Sequence, residues 1–238
     1  MRYNLVILAL ATLFVGGASS LPAQSLQDAQ PMTEADQSAW PAIGEITYGA
    51  APGSAICTGT LVAANLVLTA GHCVAVDGVP MQAATIRFAA SWRNGKSKAL
   101  RRGAEILLAQ PSTGQPRILS QDVALVMLDA PIDSTEVPPL PLSRQDLFSE
   151  DYSFIGYRRD APLVPVRHGN CPLIDTKPGE MLLGCPVVSG NSGAPVLTQR
   201  HGIWQIAAVM VAQAGGDGAV KSFAVIPGDD LRARIAQP

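Results

Sequence analysis

Short apolar runs, rich in β-branched residues, fill the chain from about residue 40 to its C-terminal end. Each run is bounded by Gly, Pro, Asn or Asp, a pattern typical of short antiparallel strands joined by turns. The sequence predicts strands at residues 43–48, 55–62, 66–69, 85–90, 104–108 and 123–128 in its first half, and at 152–157, 163–167, 181–185, 194–197, 203–211 and 221–226 in its second half.

A proline-rich stretch separates these two groups of strands. Residues 131–141 read PIDSTEVPPLP, and prolines at this density oppose both helix and the interior of a sheet. Two six-stranded halves joined by such a linker predict an all-β protein of two antiparallel β-barrels, over about residues 40–130 and 142–227. Residues 228–236 carry acidic side chains first and basic side chains last, which matches the helix dipole and predicts a short C-terminal helix.

The N-terminal residues have the order of a secretory signal peptide. Arg2 supplies a positive charge, an apolar run follows over residues 5–15, and small residues lead to Ala23. The run is too short to cross a bilayer comfortably, so we expect cleavage after Ala23 and a secreted or periplasmic chain, with a retained anchor as the alternative. Residues 24–39 are polar without alternation, and we interpret them as a flexible leader or short pro-segment before a domain over 40–238.

Composition and charge narrow the possible functions. The chain is 47% hydrophobic and 15% charged, which excludes intrinsic disorder. Its net charge is −2, and loss of residues 1–23 would remove only one basic residue, so no positive surface is predicted for nucleic acid or an anionic membrane. We interpret the one basic cluster as a solvated loop or hairpin. It comprises Arg93, Lys96, Lys98, Arg101 and Arg102.

Four cysteines lie in the part of the chain that would be exported, and an oxidising compartment favours disulfides. Three connectivities are possible, and we favour Cys57–Cys73 with Cys171–Cys185, because each pair would brace a segment with candidate chemistry. A zinc site is the alternative. The cysteines are not closely paired and no histidine is spaced as a partner ligand, so we expect no metal.

The segment TAGHC at residues 69–73 contains a candidate general base, His72. If Cys73 is bonded to Cys57, the disulfide would restrain the loop that carries the imidazole, and general-base catalysis needs such a fixed position. The other two histidines, His168 and His201, lie outside any motif, and we expect them to be exposed loop residues.

Asp122 stands directly before an apolar strand in the sequence QDVALVML. A carboxylate at that place can accept the Nδ1–H of a histidine, which fixes the tautomer and stabilises the imidazolium. An ordinary turn residue is the alternative interpretation.

The segment SGNSGAP at residues 189–195 surrounds a candidate nucleophile, Ser192. Flanking glycines let the backbone turn tightly and let a substrate carbonyl approach the main chain. The amides of Gly190 and Ser192 could then point together at one oxyanion. An ordinary Gly/Ser/Asn turn is the alternative.

Together, TAGHC, DVAL and GNSG occur in the order found in the chymotrypsin/trypsin-like serine peptidases, and the chain resembles that family from about residue 40 to 226. The resemblance implies a double β-barrel with the active site between the barrels. It also implies a secreted serine endopeptidase that acts on protein or peptide substrates without a cofactor. His72, Asp122 and Ser192 would be its catalytic triad, with the amides of Gly190 and Ser192 as the oxyanion hole.

Asn191 departs from the pattern of the animal digestive members, which carry an Asp there that pairs with a newly formed N-terminal ammonium. A neutral amide has no buried charge to neutralise, so we expect activity not to depend on such an ion pair. Similar Gly-Asn-Ser-Gly sites occur in bacterial relatives of glutamyl endopeptidases, which makes these the closer comparison.

The primary pocket also departs from two known specificities. Trypsin-like members carry an acid six residues before the nucleophile, where this chain has Pro186, and glutamyl members use a later histidine that residues 207–213 lack. We therefore expect a neutral apolar pocket formed by Pro186, Val187, Val188 and the strand around Val211.

Two other functions remain open at this stage. One is a catalytically inactive trypsin-like scaffold that acts as a secreted binding protein. The other is a different serine acyl hydrolase acting on esters, although the Gly-x-Ser-x-Gly elbow is absent and the order His, Asp, Ser differs.

Overall fold

The computed structural model of the chain describes residues 29–49, 53, 57–109, 118–144, 151–214 and 221–237, so the predicted signal peptide lies outside the described residues. The strands are β1 (Ala29–Pro31), β2 (Ile43–Tyr48), β3 (Cys57–Ala63), β4 (Leu66–Thr69), β5 (Ala75–Val76), β6 (Val79–Pro80), β7 (Ile86–Ala90), β8 (Ala99–Leu108), β9 (Ala124–Leu128), β10 (Asp151–Arg158), β11 (Ala161–Lys177), β12 (Glu180–Leu183), β13 (Pro195–Arg200), β14 (Ile203–Ala214) and β15 (Lys221–Val225). The helices are α1 (Glu34–Ser38) and α2 (Asp229–Ala236). No helix in these ranges is both long enough and apolar enough to cross a membrane.

Six strands of the first half form a closed antiparallel barrel in the order β2-β3-β4-β9-β8-β7. Nearly every residue of β2, β3 and β4 is buried, because the inner faces fill the barrel and the outer faces are covered by neighbouring segments. Leu61, Leu68, Phe88 and Leu125 are among the largest fully buried side chains. Burial of such side chains is the main stabilising contribution to the barrel.

The second half also closes into a ring of six strands, because β11 is long enough to pair on two sides. Its first part pairs with β10 and its last part pairs with β12, which completes the order β11-β10-β13-β14-β15-β12. The predicted pair of six-stranded antiparallel barrels is therefore confirmed. The short C-terminal helix is also confirmed as α2.

The described chain is already folded at Ala29, which differs from the predicted flexible leader. β1 pairs with residues 166–168 of β11, and Met32 and Gln37 are each only 4% exposed. The sequence does contain a local signal for the start of α1. Thr33 caps the helix by accepting a hydrogen bond from the Asp36 N–H at 3.1 Å, the Thr-x-x-Asp spacing of a capping motif.

His168 lies in β11 and is 3% exposed, so the prediction of an exposed loop residue is wrong. It is paired on one side with Ala29 of β1 and on the other with Phe154 of β10, whose ring stacks on the imidazole at a centroid distance of 4.4 Å. The polar residues around His168 do not indicate a strand in the sequence. The histidine is buried because its strand pairs with β1 on one side and with β10 on the other. His201 is exposed in the turn between β13 and β14, as predicted.

Tyr157 at the end of β10 is fully buried beside the first barrel. Its hydroxyl donates to the Trp92 carbonyl at 2.7 Å, and the Gln37 side-chain amide donates to the same carbonyl at 3.0 Å. Burial, reinforced by the nearby Glu45 carboxylate, raises the pKa of Tyr157 well above its usual range. The phenol therefore remains a neutral hydrogen-bond donor at alkaline pH.

We expect the raised pKa of Tyr157 to lower the free energy of unfolding as pH rises above about 10. The unfolded chain releases the phenolic proton near its ordinary pKa while the folded chain retains it, so stability falls by up to about 1.4 kcal/mol per pH unit. Urea titrations between about pH 8 and about pH 11 give the free energy of unfolding as a function of pH. In Tyr157→Phe this free energy should fall less steeply with pH than in the wild type, because the tyrosine contribution is absent. Tyr48→Phe, which alters a tyrosine that is 46% exposed, should keep the wild-type slope. Equal slopes in all three proteins would contradict the expectation.

Candidate active site

His72 and Asp122 are in direct contact at one end of the first barrel. The His72 backbone N–H donates to Asp122 Oδ1 at 2.8 Å, and His72 Nδ1 lies 2.8 Å from Oδ2. The Asp122 side chain is 2% exposed, whereas the His72 side chain is 31% exposed. One carboxylate therefore holds both the backbone and the ring of the histidine while part of the ring remains accessible.

Strand pairing explains why two residues 50 positions apart meet. β4 and β9 pair antiparallel with Thr69 opposite Ala124, so the chain just after β4 and the chain just before β9 lie at the same end of the barrel. His72 sits in the 3-10 turn that follows β4, and Asp122 ends the 3-10 turn that precedes β9. Gly71 permits their close approach, because a Cβ there would lie 3.0 Å from Asp122 Oδ1.

Both predicted disulfides are present. Cys57 of β3 is bonded to Cys73, the neighbour of His72, and Cys171 of β11 is bonded to Cys185, ahead of the Ser192 loop. The first bond ties the histidine turn to the strand beside it. In the described part of the chain, the group of side chains close enough to share a metal is Cys57, His72 and Cys73. Its two sulfurs are joined to each other and offer no thiolate, so this group does not fit a metal.

The loop that carries Ser192 packs against the first barrel. The Thr58 N–H of β3 donates to the Ser192 carbonyl at 2.8 Å. Gly193 has φ +84°, and a Cβ there would overlap the Thr58 carbonyl and the Thr69 hydroxyl, so only glycine fits. The loop is thereby brought against the end of β4 from which the His72 turn starts. Among the described contacts, the Ser192 hydroxyl makes no hydrogen bond to His72; such bonds often form only when substrate is bound.

The N–H of Gly190 is a backbone donor without an acceptor among the described residues. The Ser189 carbonyl accepts a hydrogen bond from the Arg159 N–H at 2.8 Å. Because the peptide bonds are trans, the Gly190 N–H points opposite to that carbonyl. It donates to no acceptor within the described ranges. Gly190 has φ +100°, and a Cβ would come within 2.7 Å of the Arg159 nitrogen, so glycine is required here too.

The N–H of Ser192, like that of Gly190, belongs to a peptide whose carbonyl is hydrogen-bonded on the opposite side. The Asn191 carbonyl accepts from the Ala194 N–H at 2.9 Å, so the Ser192 N–H on the other side of that trans peptide points away from it. It too finds no acceptor among the residues that the structure describes. Backbone donors in a packed loop are ordinarily satisfied, so two unused N–H groups beside one serine mark a place where an acceptor from outside can bind. These are the two amides that the sequence predicts as oxyanion donors.

Asn191 is fully buried, and both ends of its amide are used. Its Nδ2 donates to the Tyr157 carbonyl at 2.9 Å, and its Oδ1 accepts from the Val188 N–H at 2.9 Å. A carboxylate could not donate to the Tyr157 carbonyl and would need a cation in its place. The neutral side chain therefore fits this position without a partner ammonium.

A cavity of about 200 Å³ lies beside Ser192. Val187, which the sequence assigns to the primary pocket, lines this cavity, whereas Pro186 and Val211 do not. Val211 is 2% exposed and packs in the hydrophobic core, because neighbouring residues along β14 face opposite sides. Pro186 follows the disulfide-bonded Cys185, and the chain reaches the cavity only at the next residue. The lining residues are Val187, Val188, Ser189, Ser192, Met210, Ala212 and Gln213, and Ser189 was not predicted.

Comparison with known proteins identifies the family of the chain and a similar fold. The family model of trypsin matches residues 30–222. No curated protein sequence matches the chain. A solved structure of a Glu endopeptidase in complex with MPD is similar in fold, with a TM-score of 0.70 over 88% of this chain and 97% of that chain, at 20% sequence identity. Since the family model covers most of the chain, the protein belongs to the trypsin family of serine endopeptidases.

Proposed function

We propose that this protein is a secreted endopeptidase that hydrolyses peptide bonds with His72, Asp122 and Ser192 as its catalytic triad. The observation that carries the proposal is that one buried carboxylate accepts hydrogen bonds from both the backbone and the ring of a partly exposed histidine. With Nδ1–H donated to Asp122, the lone pair of the ring stands at Nε2, where a base must present it.

In the proposed mechanism, the Ser192 hydroxyl attacks the scissile carbonyl carbon while His72 Nε2 accepts its proton. The carbonyl oxygen becomes an oxyanion and is bound by the N–H groups of Gly190 and Ser192. The histidine then returns the proton to the leaving amine, and the C–N bond breaks to leave an acyl-enzyme. Water attacks this ester by the same route, with His72 as base, and releases the acid and the free serine. Asp122 keeps the ring oriented throughout.

The cavity beside Ser192 supports a preference for neutral apolar side chains before the cleaved bond. Four of its seven lining residues are apolar, namely Val187, Val188, Met210 and Ala212, and no lining residue is charged. A Lys, Arg or Glu side chain of a substrate would lose its hydration in this cavity without gaining a counter-charge. Burial of such an unpaired ion costs on the order of several kcal/mol. An apolar side chain loses nothing comparable on entering.

We further propose that residues 29–38 stay in the mature enzyme and that processing ends upstream of them, as cleavage after Ala23 would require. Their support is β1, which pairs with β11, and α1, whose Gln37 side chain reaches the Trp92 carbonyl. Two disulfides favour export to an oxidising compartment. The neutral, fully bonded Asn191 supports activity without a newly formed N-terminal ammonium.

A fluorophosphonate probe tests the proposal, because it reacts with an activated serine and needs no knowledge of the substrate. Intact mass and peptide mapping should place one adduct on Ser192. Ser189→Ala, which removes the hydroxyl of a neighbouring serine in the same loop, should still be labelled, whereas Ser192→Ala should not. Peptide-library cleavage should then show neutral apolar residues before the cut. A correctly disulfide-bonded wild-type protein that resists the probe would instead be an inactive scaffold with a binding function.

A further inference from the structure

Thr58, in β3 of the first barrel, makes hydrogen bonds on which the geometry of the Ser192 loop depends. The residue is fully buried. Its hydroxyl donates to the Gly190 carbonyl at 2.8 Å and accepts from the Tyr157 N–H at 2.9 Å. We propose that Thr58 is a positioning residue that holds the oxyanion hole in its active form. The proposal rests on the proposed peptidase function, since it assigns a role to the same site.

The direction of the Thr58 hydroxyl proton is determined by its two partners. Tyr157 approaches with an N–H and so occupies an oxygen lone pair, which leaves the hydroxyl proton for the Gly190 carbonyl. No solvent reaches the residue to offer an alternative partner. A buried, fully used hydroxyl of this kind holds its acceptor in one orientation.

Gly190 needs such a restraint because of the conformation it adopts. Its φ of +100° is open to glycine alone, and the same freedom lets glycine rotate into other conformations at little cost. The peptide before Gly190 is held through the Ser189 carbonyl by Arg159, and the peptide after it is held through the Gly190 carbonyl by Thr58. With both flanking peptide planes held, the Gly190 N–H cannot turn away without breaking a hydrogen bond.

The backbone of Thr58 joins the same loop to the histidine turn. Its N–H donates to the Ser192 carbonyl and its carbonyl accepts from the Thr69 hydroxyl, both at 2.8 Å. The preceding residue, Cys57, is bonded to Cys73 beside His72. Two consecutive residues of β3 thus contact the nucleophile loop and the turn of the base, so a shift of β3 would move both together and preserve their spacing.

Thr60, two residues further along β3, offers a matched control. It is 1% exposed, and its hydroxyl has no hydrogen-bond partner within the described residues. Thr60→Val and Thr58→Val therefore exchange the same hydroxyl for a methyl group at equally buried sites of one strand. Only Thr58→Val removes a hydrogen bond to the Ser192 loop, the one that the hydroxyl donates to the Gly190 carbonyl.

The first part of the test is steady-state kinetics on a peptide substrate with Thr58→Val, Thr58→Ser and Thr60→Val. We expect Thr58→Val to lower kcat about 10- to 100-fold with KM nearly unchanged, because the oxyanion forms only in the transition state. Thr58→Ser keeps the hydroxyl and should stay within about three-fold of wild type, and Thr60→Val should equal wild type. Equal losses in the valine and serine variants would overturn the proposal, because the hydroxyl would then not be the cause.

Hydrogen–deuterium exchange of the peptide covering residues 186–194 gives a readout that does not require turnover. Exchange should be faster in Thr58→Val than in wild type, Thr58→Ser and Thr60→Val. If the four proteins show this pattern of exchange but the fluorophosphonate probe does not label the wild type, the restraint on the loop stands and the peptidase assignment fails. If a labelled wild type and Thr58→Val show the same exchange and the same kcat, the peptidase assignment stands and the positioning role of Thr58 fails.

Discussion

Replacing His72 with alanine is expected to lower kcat for peptide hydrolysis by about 10⁶-fold. Without the imidazole nothing in the site can take the proton of Ser192, and a neutral serine hydroxyl is a poor nucleophile. The variant should still fold, because the Cys57–Cys73 disulfide holds the turn and Asp122 keeps the backbone N–H of residue 72 as a donor. Steady-state kinetics and an unfolding midpoint from the same preparation measure both expectations.

His201→Asn is the matched control for this loss. His201 is exposed in the turn before β14 with φ +48°, a conformation that asparagine adopts readily, so the change removes an imidazole without straining the backbone. Its kcat should equal that of the wild type. A folded His72→Ala enzyme that kept more than about 1% of wild-type kcat would exclude His72 as the general base, because losing a base costs at least 10²-fold.

The strands could be predicted from the sequence because their signals are local. β4 was predicted with its observed limits, Leu66–Thr69, since a turn precedes it and Gly71 follows it. β11 was predicted only at 163–167, yet it extends to Lys177. Its continuation contains His168, Gly169 and Asn170, which by composition favour a turn, and Asn170 does adopt a positive φ of +52°. Pairing with β10 and β12 overrides that local preference, and pairing partners cannot be seen in a short window of sequence.

The candidate site was predictable as chemistry but not as geometry. The motifs around His72, Asp122 and Ser192 predict which groups would react, and the structure brings the first two into contact across 50 positions. The sequence does not determine which residues line the cavity beside Ser192, since the choice between Val211 and its neighbours depends on which face of β14 each occupies. The contact of Thr58 is not predictable from sequence, because its hydroxyl donates to the carbonyl of Gly190, 132 positions away, and no local pattern reveals such a bond.

Replacing Asp122 with asparagine is expected to lower kcat by about 10⁴-fold while leaving the fold intact. The carboxylate accepts from two donors of His72, the backbone N–H at Oδ1 and the ring Nδ1–H at Oδ2. Asparagine has one oxygen for the backbone N–H, which leaves its NH₂ group facing Nδ1. Because that group donates, Nδ1 must become an acceptor and the ring proton moves to Nε2. The lone pair that should accept the Ser192 proton is then on the wrong nitrogen.

Asp129→Asn provides the comparison for this variant, because it makes the same change at the other end of β9. Asp129 is exposed, and its Oδ1 accepts from the Arg102 N–H at 3.2 Å, a bond that an amide oxygen preserves. Its kcat and fluorophosphonate labelling rate should equal those of wild type, whereas both should fall together in Asp122→Asn, since both depend on an activated serine. Normal labelling with slow turnover in Asp122→Asn would show that the loss arises after the serine is activated, and the tautomer explanation would be wrong.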